Sequence, residues 1–306
     1  MFAVTGITGK VGGEAARALL AGGLPVRAVL RDAKKASTWR DRGCHVAVAN
    51  MDDAAALASA FNGAHGVFVL LPPVFDPAPG FPEARATVTA LALALKTSRP
   101  AKVVCLSTIG AQATRLNLLT QLSIMEQVLG ELPVPVAFLR PAWFMENSSS
   151  DVAPARLTGV IPSFLQPLDK PVPMVSATDV GRVAAQLLQE SWTGRRVVEL
   201  EGPHRVTPNE IAVVFSSLLG SPVRAQAVPR GDWEDLFKSQ GMRHPTPRIQ
   251  MLDGFNQGWI AFENKEAGPI KGTVALQSAL QAMISGAEAA RSESRGGQWW
   301  RFNNCA

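Results

Sequence analysis

A glycine-punctuated turn joining an apolar strand to a helix narrows the choice of fold more than any single reactive residue does. Residues 1–23, MFAVTGITGKVGGEAARALLAGG, contain one. "FAVTG" reads as a short buried strand, and "GGEAARALLAGG" as a helix closed by Gly22 and Gly23. Between them run Gly6, Gly9 and Gly12. In a dinucleotide-binding turn the first glycine permits the sharp bend, the second lets backbone N–H groups approach a pyrophosphate, and the third allows close helix–strand packing. The helix start adds unpaired N–H donors and a dipole that favours phosphate. Thr8 offers a hydroxyl, and Lys10 and Val11 belong to the same cofactor-binding stretch. A turn made for packing alone is the competing reading.

The end of the next strand, "PVRAVLR", bears on which dinucleotide is held. NAD-selective sites usually place Asp or Glu there for the ribose 2′-hydroxyl. Here the residue is Arg31, with Lys35 one helical turn on. A carboxylate repels a 2′-phosphate, whereas a guanidinium pairs with it through charge-assisted bonds. NADP(H) is therefore the expected cofactor, with the adjacent Asp32 pointing away; the alternative is that Arg31 is a solvated turn residue. Asn50 and Met51 are expected beside the adenine, and Leu70, Leu71 and Pro72 beside the diphosphate or ribose.

Further strand patterns, "HVAVAN", "GVFVLLPP", "AKVVCLST" and "VPVAFLRP", alternate with helical ones at "DAAALASAF", 82–97 and 117–130. The strands are apolar throughout rather than on alternate residues, which indicates a parallel sheet covered on both faces. The expected fold is α/β, a doubly wound parallel sheet of Rossmann type over 1–150, completed by 174–204. Residues 151–173 and 205–285 are expected to form a smaller, mostly helical substrate-binding cap. Within it the Pro-rich "ARLTGVIPSFLQPLDKPVPM" reads as irregular, and "PVRAQAV" as the one strand. Residues 286–306, ending in "GGQWWRFNNCA", fit a packed fold poorly and read as a tail.

The net charge of +5 comes from Lys and Arg that are scattered rather than clustered. That speaks against a nucleic-acid-binding stripe while still favouring a phosphorylated ligand. No apolar run approaches the ~18 residues of a membrane span. Cys44, Cys105 and Cys305 have neither metal-ligand spacing nor the look of a disulfide framework, so no metal and a cytoplasmic location are expected.

In order along the chain, "VTGITGKVGG", "VLRDAKKAS", "VVCLSTIGA" and "FLRPAWFMEN" resemble the NmrA-like group of atypical short-chain dehydrogenases/reductases. The resemblance covers residues 2–285 and implies a Rossmann domain with a small C-terminal substrate domain. That group includes NADPH-dependent quinone reductases, reductases of triphenylmethane dyes and non-catalytic redox-sensing regulators. It implies that Ser107 and Thr108 end the fifth strand beside the nicotinamide. It also implies that Pro141, Ala142, Trp143 and Phe144 cover the ring, with Asn147 helping to fix that loop. Typical short-chain dehydrogenases carry Tyr-x-x-x-Lys; this chain has no tyrosine, which excludes that mechanism. Many relatives keep Lys or His four residues before a helical Glu, here Glu126, but this chain has Leu122. Alcohol or ketone chemistry is thereby disfavoured, because an alkoxide product wants a positioned acid.

Hydride transfer to a quinone-like or other conjugated acceptor survives, since a π-system spreads the charge and takes its proton from water. Trp143 and Phe144 would supply stacking surface. Trp233 and Trp259, with Phe237 and Phe255, are candidate walls of the substrate pocket, and packing is their competing role. Ser107, Gln112 and Asn117 are candidate polar contacts, and His244 is the candidate proton source. The expected partner is a small molecule. A homodimer through the long fourth helix stays open, as does a protein partner if the chain is a non-catalytic NADP(H) sensor.

Overall fold

Parallel strands cannot be joined by hairpins, so each needs a crossover, and the helices between the apolar runs provide it. The first half runs β1 (Phe2–Val4), α1 (Lys10–Ala21), β2 (Val26–Leu30), α2 (Ala36–Arg40), β3 (His45–Val48), α3 (Ala54–Phe61) and β4 (Gly66–Leu70). It continues through α4 (Pro82–Ser98), β5 (Lys102–Leu106), α5 (Thr120–Leu129) and β6 (Val136–Pro141). With β10 (Arg195–Glu201) and β12 (Ile270–Lys271) these strands form one parallel sheet of eight, in the order β12-β10-β6-β5-β4-β1-β2-β3. Strand order reverses beside β1, which pairs with β2 on one side and β4 on the other. At such a reversal the loops leaving neighbouring strands run to opposite faces, which is where doubly wound sheets bind ligands at the carboxyl edge. The structure is a computed structural model and describes residues 1–264, 266 and 268–295, the side chains of 288–295 excepted.

Two apolar clusters cover the sheet, as the strand composition requires. One joins α1 and α7 (Ala177–Gln189) through Val11, Ala15, Leu19, Val180, Ala184 and Leu188. The other joins α3, α4 and α5 through Leu57, Phe61, Leu91, Leu95, Met125 and Leu129. Helices α1 and α7 cross closely because Gly181 has no side chain: a Cβ there would lie 2.8 Å from the Val11 carbonyl oxygen.

The cap departs from expectation in three places. The Pro-rich stretch is not irregular throughout, since α6 (Val152–Thr158) ends inside it, β8 (Val160–Ser163) follows, and β9 (Met174–Val175) begins at its last residue. Strand β8 pairs in parallel with β11 (Arg224–Ala227), while β9 pairs with β7 (Trp143–Phe144) and so ties the rim to the cap. Helices α8 (Pro208–Leu219), α9 (Trp233–Ser239) and α10 (Thr246–Gln257) complete the cap, but β12 leaves it and extends the main sheet. Helix α11 (Leu276–Arg295) packs on α8 and on the 3-10 turn Met145–Asp151, and its helical backbone runs past 286, the expected start of the tail. Residues 296–306 lie outside the described residues.

Candidate functional site

All strands of a parallel sheet point the same way, so the segments leaving β1 to β6 share one rim, and the sequence candidates of the first half stand on it. At its centre Gly6 has φ of 59°, in the left-handed region, and a Cβ there would meet the Leu70 side chain at 2.6 Å. A Cβ on Gly12 would lie 2.5 Å from the Gly6 carbonyl oxygen and 2.7 Å from that of Thr5. The Gly9 N–H donates to the Gly6 carbonyl at 2.9 Å, and Gly9 then starts α1 with no side-chain cap and no acidic residue in the first turn. No side chain of that first turn neutralises the positive helix end. Thr8 and Lys10 are exposed beside it, whereas the Val11 side chain turns into the core and leaves only its backbone for a ligand.

Arg31 and Lys35 are exposed past the end of β2. The Asp32 carboxylate accepts from the Lys34 N–H at 3.0 Å, capping the short 3-10 turn it begins. Asn50 is exposed, while Met51 is half-buried against the α3 cluster. Leu70 lies on Gly6; Leu71 packs with Phe81 and Ile124, and Pro72 is half-buried. The loop after β4 is fastened twice more. Gln121 Nε2 donates to the Val74 carbonyl at 3.1 Å, and Asp76 accepts the N–H groups of Arg243 at 2.9 Å and His244 at 2.6 Å. Burial opposes charge on Asp76, but those two N–H donors outweigh it and hold the carboxyl below its usual range.

A buried polar hub that sequence reasoning missed lies under the end of β5. Ser107 Oγ donates to Glu126 Oε1 at 2.5 Å, so its own proton is committed and only its lone pairs remain for a ligand. Arg140 forks onto both Glu126 oxygens, Nε to Oε1 at 2.8 Å and Nη2 to Oε2 at 2.6 Å. Its Nη1 donates to Glu263 Oε2 at 2.6 Å and to Gln112 Oε1 at 3.2 Å. Thr108 is half-buried, with its hydroxyl on the Ile109 carbonyl at 3.2 Å. The one available signal was "VAFLRP": an arginine closing a strand buried on both faces must have a buried acid to pair with.

Past β6 the chain crosses the rim. Pro141 and Ala142 are buried, the Ala142 N–H donates to the Leu200 carbonyl at 2.8 Å, and Trp143 and Phe144 are half-buried. The Trp143 ring stands edge-on to Phe255 of α10, with centroids 5.1 Å apart at 87°. The expectation for Asn147 needs correction: it is exposed, and its neighbour Glu146 holds the segment. Glu146 accepts from Ser176 Oγ at 2.9 Å and the Ala177 N–H at 3.0 Å, pinning the turn to the start of α7.

Several cap candidates also prove structural. Trp233 is 1% exposed, donates its indole N–H to the Val228 carbonyl at 2.8 Å and packs against Phe164, so it belongs to the cap core rather than to a substrate wall. Phe237 is buried with it. Between β5 and α5, Gln112 spends its Nε2 on the Ala261 carbonyl at 2.8 Å and its oxygen on Arg140, and Asn117 Oδ1 accepts the Leu119 N–H at 2.8 Å in the turn before α5. Trp259 borders an open hollow of about 390 Å³ with Arg115, Leu116 and Gln250, on the outer side of α10 from Arg248 and Phe255. His244 is half-buried and anchored by its backbone to Asp76. Among the described residues no group of His, Cys, Asp or Glu is placed to hold a metal, and no helix is long and apolar enough to cross a membrane.

An eight-stranded parallel sheet with a glycine cradle at its reversal point and a cap over its carboxyl rim defines a Rossmann-type α/β protein. Within that class the pattern of the NmrA-like family matches residues 1–252, and the chain belongs to that family. It is 30% identical to an NAD(P)H azoreductase of Xenophilus azovorans over 79% of this chain and 82% of the relative. It is 25% identical to quinone oxidoreductase 2 of Escherichia coli strain K12, over the same shares. The NADPH-dependent quinone oxidoreductase structure from Escherichia coli superposes with a TM-score of 0.73 at 22% identity, covering 93% of this chain and 100% of that one. Triphenylmethane reductase of Citrobacter sp., complexed with NADP(H), gives 0.77 at 20%, covering 92% and 100%. These two likenesses are likenesses of fold.

Proposed function

We propose that the chain is an NADPH-dependent oxidoreductase that reduces a quinone-like or other conjugated small molecule by direct hydride transfer. The observation that carries this reading is the cradle. Gly6, Gly9 and Gly12 bring the uncapped start of α1 against the rim where side chains would otherwise stand, and a pyrophosphate fits there. The backbone of residues 8–11 would hold the diphosphate, and Arg31 and Lys35 the 2′-phosphate, with Asp32 withdrawn into its own turn. Asn50 and Met51 would flank the adenine, Leu70 to Pro72 the ribose, and Ser107 and Thr108 the nicotinamide end. When bound, the cofactor supplies the hydride.

The protein's part is to orient and to exclude water. Ser107 offers an oxygen whose proton is fixed on Glu126, and so acts as an acceptor. Trp143 and Phe144 offer an apolar surface braced by Phe255. Such a site suits an acceptor that spreads charge over its own π-system. The relatives named as azo and quinone reductases support the same substrate class. A second reading, a non-catalytic NADP(H) sensor for a protein partner, is favoured by the missing tyrosine and by Leu122.

NADPH oxidation with a panel of naphthoquinones and azo dyes separates the two: turnover on at least one acceptor is expected. Micromolar NADPH binding with no turnover on any acceptor would leave the sensor. In the same assay Arg31→Ala should weaken NADPH about tenfold and leave NADH unchanged, the size of one charge-assisted bond.

A further inference from the structure

A guanidinium taken out of water without an acid is an expensive feature to keep in a fold. Arg248, in the first turn of α10, is one. It is half-buried, and among the described residues no carboxylate pairs with it. Its contacts are soft: Nη1 donates to Met242 Sδ at 3.7 Å, and the guanidinium lies 4.3 Å over the Phe237 ring. Burial, with no opposing charge, pulls its pKa down. By contrast Arg140, more deeply buried, has two acids, and Arg230, near the other end of α10, grips Asp253 at 2.7 Å.

Its position on the helix gives the unpaired charge a direction. Residues four and seven further on, Leu252 and Phe255, follow on the same face. Phe255 carries the edge-on contact to Trp143. The face that braces the reaction cleft at one end therefore presents Arg248 about 10 Å further along the axis, at the rise of an α-helix. The Phe237 ring lies against the guanidinium, and the N–H donors not directed at Met242 match a carboxylate or sulfonate.

We propose that Arg248 receives an anionic substituent, a carboxylate or sulfonate, of the conjugated substrate, so that the preferred acceptors are acidic aromatic dyes or quinones. The proposal rests on the reading of Trp143 as a wall of the reaction cleft. An anion there completes the pairing that the protein leaves open, and a neutral analogue leaves the half-buried guanidinium without an acid.

The probes are methyl red, an azo dye with one carboxylate, and its neutral methyl ester. Each is titrated by absorbance into protein loaded with NADP⁺, where no turnover occurs. Wild type should bind the acid about tenfold more tightly than the ester, the size of one charge-assisted hydrogen bond. Arg248→Gln should bring the ratio close to one, and Arg248→Lys should restore part of it. If Arg248→Gln does not fold, Arg248→Lys decides, because a point charge without the planar fork must lower the ratio. A wild type that binds both dyes alike, or neither, overturns the assignment, as does a variant that keeps the full ratio. Calorimetry with NADP⁺ alone is read separately. A protein that binds no NADP⁺ sinks the oxidoreductase reading, while the dye ratio still reports on Arg248.

Discussion

Replacing Glu126 by leucine tests whether the hub under β5 is held by charge or by shape. The side chains of Arg140 and Glu126 are only 4% and 7% exposed, so the change strands a buried guanidinium whose Nε and Nη2 lose their partners. Removing one member of such a pair costs about 3–5 kcal/mol. Glu263 still engages Nη1, which places the loss near the lower end, and the Ser107 hydroxyl adds about 1 kcal/mol for its lost acceptor. A destabilisation of about 4 kcal/mol is therefore expected, read as a lower urea midpoint with coincident fluorescence and circular-dichroism transitions. Glu263→Gln is the control: its side chain is 57% exposed, and the loss should stay below about 1 kcal/mol. The double variant Glu126→Leu/Arg140→Met should recover most of the stability, because it removes both charges together. If Glu126→Leu costs no more than Glu263→Gln, the hub is not what holds this rim, and the account of Ser107 as a fixed acceptor fails with it.

Three further outcomes follow from local geometry. Gly12→Ala puts a methyl group 2.5 Å from a carbonyl oxygen, so α1 must shift off β1, and NADPH affinity by calorimetry should fall at least about tenfold. Burial pushes the Asp151 carboxyl up to about 6, against a lowering hydrogen bond from Ser148. The native state then binds a proton more tightly than the unfolded chain, so stability falls as pH rises from about 4 to about 6 and is level above. Asp151→Asn lacks that decline and should gain up to about 3 kcal/mol over wild type across the window, seen by unfolding at pH 4 and pH 7. Asp76 is the opposite case, a lowered carboxyl whose contribution is present above the ordinary carboxylate range and lost as pH falls through its depressed value. Asp76→Asn should lower the melting temperature at pH 7, and the gap should close in acid.

What could be read from the residues was what short stretches of chain determine by themselves. The buried strands from "FAVTG" to "VPVAFLRP" are apolar along their whole length, and the glycine turn is decided within seven residues, so both were legible. Strands β7, β9 and β12, two residues each, carry no periodicity, and they exist only because distant neighbours pair with them. Trp233 and Gln112 were misplaced for a related reason: residue type suggests a wall or a polar contact, but what the side chain meets depends on Val228, Phe164, Ala261 and Arg140.

The partners of Arg140 lie 14 and 123 residues away along the chain, so the arginine signals a buried acid without saying which one, and that separation also gives the hub a role. Glu126 belongs to the sheet half, whereas Glu263 and the Ala261 carbonyl belong to the segment that leaves the cap after α10. Ile260, just before it, sits so close to Gly110 that a Cβ there would be 2.8 Å away. The Glu263 and Asn264 N–H groups are in turn held by Glu199 at 2.7 and 3.1 Å. The Arg140–Glu263 pair gives this segment a directional but weak link to the hub, since the Glu263 side chain is 57% exposed, and the Glu199 bonds and the Ile260–Gly110 contact add to it. The segment after α10 is therefore joined to the end of β5 by hydrogen bonds and close packing between residues far apart in the chain, and not by apolar contact alone.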